Sequence, residues 1–281
     1  MKAHMQHLRY VMGENPVTFF SFILFFLLMA LGLFGPWIAP YDPLASDTAN
    51  ALKPPTWAHP FGTDNLGRDV FSRVITATRL DLAISVAAVS LSFVAGSVAG
   101  VCAGYFGGVT DKLISRLTDT IMAFPLFVLA MGIVSALGNT IENIVYTTAV
   151  INFPFYARVA RAEANSRREA GFVEAARLSG NGHGRILLFH MGPNIMPPMM
   201  VQISLNMGYA ILNAAGLSFI GLGVRPPTPE WGIMVAEGAK FIVSGEWWLA
   251  IFPGAALMLA VLCFNLLGDG LRDLIDPRMR T

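Results

Sequence analysis

The chain has 281 residues, of which 54% are hydrophobic and 13% charged, and its formal net charge is +1. A soluble domain carries about 25% charged residues and lacks repeated apolar stretches of about 20 residues, the length that crosses a bilayer as a helix. The composition therefore excludes an ordinary soluble domain, and it leaves the placement of the charges, rather than their sum, as the informative quantity.

The first apolar run, 17–38, follows a short cytoplasmic segment, 1–16. It is longer than a signal-peptide core and ends in Gly-Pro-Trp-Ile-Ala-Pro instead of a small-residue cleavage site, so it is expected to be a retained first span. A polar, Pro-rich external loop, 39–81, comes next, and a five-helix core is predicted over 82–267. Within it the spans fall at 82–103, 120–137, 141–159, 196–222 and 247–267, with a cytoplasmic tail at 268–281. Asn152 and Pro154 interrupt the span at 141–159, which a bundle tolerates where neighbouring helices satisfy the freed carbonyl. The last span opens on Trp247 and Trp248, residues suited to a membrane interface.

Six spans put both termini on one side. Segments on that side hold Lys2, Arg9, Lys112, Arg116, Arg158, Arg161, Arg167, Arg168, Arg177, Arg185, Arg272, Arg278 and Arg280. The opposite side holds Lys53, Arg68, Arg73, Arg79, Arg225 and Lys240. Thirteen against six places both termini in the cytoplasm. Cys102 and Cys263 sit in apolar stretches and read as core residues. The histidines at 4, 7, 59, 183 and 190 are scattered, so no metal site is expected, and no charge is expected in mid-span, which argues against a proton relay.

Two helical patterns stand out. Gly96, Gly100 and Gly104 recur every fourth residue, so one helix face lacks side chains and another backbone can approach it. Gln202, Asn206, Tyr209 and Asn213 run down one side of the fifth span. Such a stripe either lines a translocation path or bonds neighbouring helices. The second external segment, 223–246, contains Pro226, Pro227 and Pro229 and exceeds a turn in length, as partner-binding loops do.

The cytoplasmic loop 160–192 contains Glu174-Ala175-Ala176-Arg177-Leu178-Ser179-Gly180. Its alanines and leucine favour a short helix, Glu174 lies near the positive end, and the glycine ends it. It resembles the Glu-Ala-Ala loop of ABC importer permeases, with the proline of His190-Met191-Gly192-Pro193 at the family's spacing and the apolar positions before it departing from the pattern. Asn181-Gly182-His183-Gly184 is also richer in glycine than a stiff linker would be. Gly62-Thr63-Asp64-Asn65-Leu66-Gly67-Arg68-Asp69, Ala103-Gly104-Tyr105-Phe106-Gly107-Gly108 and Leu217-Ser218-Phe219-Ile220-Gly221-Leu222-Gly223 are similar to the C-type permease of dipeptide, oligopeptide and nickel importers, in that family's order.

The resemblance implies an all-α, type I ABC importer permease fold in a bacterial inner membrane. It implies a heterodimer with a second permease, two cytoplasmic ATPases that bind ATP and Mg, an external solute-binding protein, and contact with lipid but not nucleic acid. Glu174, Ala175, Ala176, Leu178 and Gly180 would then couple this chain to an ATPase, and this chain would bind no cofactor. Independently, the sequence has no Gly-x-x-x-x-Gly-Lys-Ser/Thr phosphate loop, and its inner segments are too short for a nucleotide-binding domain. The cargo by resemblance is a peptide, with nickel chelates, glutathione or opine-like solutes as alternatives. An ATP-independent secondary transporter is the rival from another class.

Overall fold

The computed structural model describes residues 16–275; expectations for residues 1–15 and 276–281, including His4 and His7, lie outside them. Helix α1 spans Pro16–Ile38, α2 Val70–Phe106, α3 Gly108–Ala123, α4 Leu126–Leu137 and α5 Ile141–Arg167. A short helix α6, Gly171–Leu178, precedes a second helical run that opens at His183, widens into a π-type stretch at Ile186–Met191 and continues as α7, Gly192–Phe219. Helix α8, Trp231–Ala239, and α9, Trp248–Ile275, complete the fold. By length and composition α1, α2, the run His183–Phe219 and α9 can each cross a membrane, and α3 with α4 makes a fifth, bent candidate. Helix α5 is long enough to cross but carries Asn143, Thr147, Thr148 and Asn152 along its N-terminal half.

Several boundaries differ from expectation for identifiable reasons. Helix α2 begins at Val70 rather than 82, because Asp69 caps it, its side chain accepting from the Ser72 amide at 2.7 Å. Arg73, Arg79 and Asp81, read from sequence as loop, are thus helical. The span predicted at 120–137 is two helices bent by 95°. Pro125 removes an amide and forces Phe124 into extended geometry, so α3 stops at Ala123. Trp248 is not an interface anchor: it is buried, and its indole donates to the Thr63 carbonyl at 3.2 Å.

The tightest helix pair is α2 against α5, and the glycine row explains it. A Cβ on Gly96 would lie 2.7 Å from Tyr156 Cβ and 2.8 Å from the Phe153 carbonyl oxygen, and one on Gly100 would overlap the Ala157 carbonyl. A Cβ on Gly104 would lie 2.8 Å from Ala164 Cβ. Absence of side chains lets the backbones touch over three turns. Helix α9 packs on α7, α8 and α1, and α2 also contacts α1 and α7, which places α2 at the centre of the bundle.

The segment between α1 and α2 is ordered by α2 and α9. Gly67, at φ 77°, brings the chain against Asp47, where any Cβ would overlap the backbone. Asp64 accepts from the amides of Leu66 and Arg68 at 2.9 and 3.0 Å and from Arg68 Nε at 2.6 Å, with Arg73 Nε at 3.6 Å and Glu237 Oε2 3.9 Å from Arg68. His59 Nδ1 lies 2.8 Å from Asp69. The motif 62–69 is therefore a buried ionic knot that seats loop 39–69 on the start of α2.

Candidate functional site

Helix α6 is amphipathic: Val173 and Ala176 are buried, while Glu174, Ala175 and Leu178 face outward, Leu178 with 90% of its area exposed. Its end is a Schellman motif, with Asn181 N donating to Ala176 O at 3.1 Å and Gly180 N to Arg177 O at 3.0 Å. Gly180 adopts φ 77°, the left-handed conformation that the motif requires of its C′ residue. Of the five residues that the sequence assigns to coupling, three form an outward surface, Ala176 anchors the helix, and Gly180 shapes its exit.

What holds α6 against the bundle was not foreseen. Tyr105, the penultimate residue of α2, is buried, and its hydroxyl lies 2.9 Å from His183 Nδ1. Arg177 Nε donates to the same hydroxyl at 3.4 Å, and the guanidinium sits 5.1 Å from the Tyr105 ring centre in a cation–π arrangement. Thus α6 and the start of the next helical run share one contact on the C-terminal end of α2. The glycine-rich segment 181–184 is stiffened by this contact and by Asn181 Nδ2, which donates to Ala176 O at 3.0 Å. The only hint in the sequence was a tyrosine beside glycines at a helix end.

The polar row on α7 does not form one surface. Asn206 is fully buried and Asn213 nearly so, Gln202 is half-buried, and Tyr209 is exposed, stacked on Phe155 at 6.5 Å. Asn206 approaches Tyr156 of α5, and neither completes a hydrogen bond of good geometry. The heptad-like offset from 206 to 213 keeps those two on the packed side, whereas 209 rotates away from it.

Charged groups do occur within the helices. Asp81 of α2 is buried and accepts from the Trp231 amide at 3.2 Å, while Trp231 Nε1 donates to Val74 O at 3.0 Å. Glu230 caps α8, accepting from the amides of Gly232 and Ile233 at 2.9 and 2.8 Å. Burial pushes its carboxyl above the usual range, and the backbone bonds act against that shift. Helix α3 is tied to α5 by two ion pairs, Arg161 gripping Asp111 with both ends of its fork and Arg158 Nη2 reaching Asp119 at 2.7 Å.

Comparison with known proteins gives a consistent picture. Residues 96–281 match the family described as binding-protein-dependent transport system inner membrane component, and residues 12–55 match the N-terminal TM domain of oligopeptide transport permease C. Over 269 residues the chain is 40% identical to the probable D,D-dipeptide transport system permease protein DdpC of Escherichia coli (strain K12), covering 96% of this chain and 90% of that one. It is 42% identical over 265 residues to the di/tripeptide transport system permease protein DppC of Pseudomonas aeruginosa (strain UCBPP-PA14), covering 92% and 87%. It is 40% identical over 262 residues to the nickel transport system permease protein NikC of Escherichia coli (strain K12), covering 93% and 94%. Among solved structures, a chain of the MetNI methionine ABC transporter in inward-facing conformations shares the fold, with a TM-score of 0.59 and 16% identity over 73% of this chain and 96% of that one.

Proposed function

Given that the chain belongs to the family of binding-protein-dependent transport system inner membrane components, we propose that it is one of two permeases in an ATP-driven importer of di- or oligopeptides. As a member of that family it is a transmembrane, non-catalytic subunit of an ABC transporter. The observation that carries the proposed mechanism is α6: a short helix whose outward face, Glu174, Ala175 and Leu178, is left uncovered by the described residues although Leu178 is apolar. That face suits a groove on a cytoplasmic ATPase. ATP and Mg act there, in two ATPase subunits, and closure of that pair moves α6 and the helices joined to it.

The external loops receive a solute-binding protein, a second permease completes the path, and both termini lie in the cytoplasm of a bacterial inner membrane. The peptide names of two relatives support the cargo, and the nickel permease, at equal identity, supports nickel chelates as the second reading. On α7, exposure of Tyr209 supports a path-facing role there, whereas burial of Asn206 and Asn213 supports helix-to-helix contact.

Reconstitution of the chain with its second permease, ATPases and binding protein tests the reading. ATP-dependent uptake of a dipeptide that vanishes when the ATPases are omitted is expected. Uptake by this chain alone without ATP would instead identify a secondary transporter.

A further inference from the structure

Charged side chains within membrane helices turn toward protein or water and away from lipid. Arg158 and Asp119 nevertheless remain 50% and 59% exposed in this chain while pairing at 2.7 Å. Counted from Ile141, Arg158 lies about 26 Å along α5 at 1.5 Å per residue, near the inner edge of a hydrocarbon layer about 30 Å thick. The pair borders a recess of about 420 Å³ between α3 and α5, walled also by Ile114, Ser115, Thr118, Ala157 and Arg161, whose own charge is taken up by Asp111. Outward along the same two helices lies an apolar recess of about 290 Å³, whose walls include Leu117, Ile121, Ala149, Val150 and Phe153. Thr118 and Ala157 of the first recess lie one helical turn from Ile121 and Phe153 of the second, so the two follow one another as a groove that is apolar at one end and carries opposite charges at the other. Charges there disfavour contact with lipid.

We propose that this groove is one stretch of the translocation path, and that Asp119 and Arg158 form its inner station, a site for a small zwitterion such as a peptide with free termini. The proposal rests on the importer reading above. In the empty groove each charge neutralises the other. An arriving zwitterion exchanges that one pair for two, its carboxylate against the Arg158 guanidinium and its ammonium against the Asp119 carboxylate, so no charge is left bare. A solute with blocked termini offers no such exchange. The apolar recess accepts side chains without hydrogen-bond readout, which suits cargo of varied sequence.

The test uses the complete transporter in proteoliposomes, with Cys102 and Cys263 of this chain replaced by Ala. Ser115→Cys, and separately Ile114→Cys, place a thiol on the recess wall for a membrane-impermeant methanethiosulfonate reagent. Both thiols are expected to react, and alanyl-alanine is expected to slow the reaction about fivefold, as a ligand that covers most of a pocket does. N-acetyl-alaninamide is expected not to protect, and Asp119→Asn with Arg158→Gln to abolish protection while leaving the thiol reactive. Unreactive thiols at both positions, or equal protection by the blocked compound, overturn the proposal. If the unmodified complex performs no ATP-driven uptake of alanyl-alanine, the importer reading fails and takes the proposal with it; uptake without protection refutes the proposal alone.

Discussion

The hydroxyl of Tyr105, at the C-terminal end of α2, lies 2.9 Å from Nδ1 of His183, in the helical run that follows α6. On the importer reading, motion of α6 would therefore reach α2 directly, besides the two helices that flank it in sequence. Tyr105→Phe keeps the ring beneath Arg177 and deletes the oxygen that His183 and Arg177 share. Solute moved per ATP hydrolysed is expected to fall by at least about twofold, the factor equivalent to about 0.5 kcal/mol, the low end for a single lost hydrogen bond. Tyr105→Leu, which also removes the cation–π contact, is expected to reduce it further. An unchanged ratio in both variants would assign the contact to folding alone.

Close contact of α2 with α5 yields a stability prediction with an internal control. Gly100→Ala forces a methyl group into the Ala157 carbonyl and the Ala160 side chain, and is expected to cost about 1–3 kcal/mol. Gly132→Ala, in α4 where no atom lies within 4 Å of the added carbon, is expected to gain about 0.5–1 kcal/mol from the better helix former. Unfolding midpoints of the purified chain in mild detergent measure both, and opposite signs are required.

The ionic knot of the outer loop is sensitive to loss of its acid. Asp64→Asn leaves Arg68 and Arg73, both buried, beside each other with Glu237 as the carboxylate that remains to offset them among the described residues. The cost expected for an uncompensated buried charge is about 3–5 kcal/mol. Limited proteolysis across 39–69 should become rapid in the variant, and a protease-resistant loop would contradict this account.

Glu230 gives a pH dependence of definite sign. Its native carboxyl holds a proton to higher pH than an unfolded glutamate, which titrates near about 4.3. The stability it contributes is complete below that value and is lost as pH rises through the raised native value. The melting midpoint is expected to decline over this interval, with a shallower slope in Glu230→Gln; identical slopes would show that Glu230 does not carry the effect.

Periodic features were legible in the sequence and pairwise ones were not. The glycine row, the first span and the short helix at Glu174 each repeat or end at fixed local offsets, so residue type alone locates them. Arg158 and Asp119 are 39 positions apart and Arg161 and Asp111 are 50 apart, and nothing local announces that they meet. The early start of α2 was hidden because Arg73, Arg79 and Asp81 read as a solvated loop. Asp69 three residues before Ser72 was a usable capping signature, and Pro125 in the middle of a predicted span was a usable sign of the bend.

Helix α2 spans 37 residues without interruption, a rod about 55 Å long at 1.5 Å per residue. Its start is held by loop 39–69 and its end by Tyr105, while Gly96, Gly100 and Gly104 press its last third against α5. A tilt of such a rod by about 5° displaces one tip relative to the other by about 5 Å. On the importer reading, a binding protein seated on that loop and an ATPase seated on α6 would bear on the two ends of one helix.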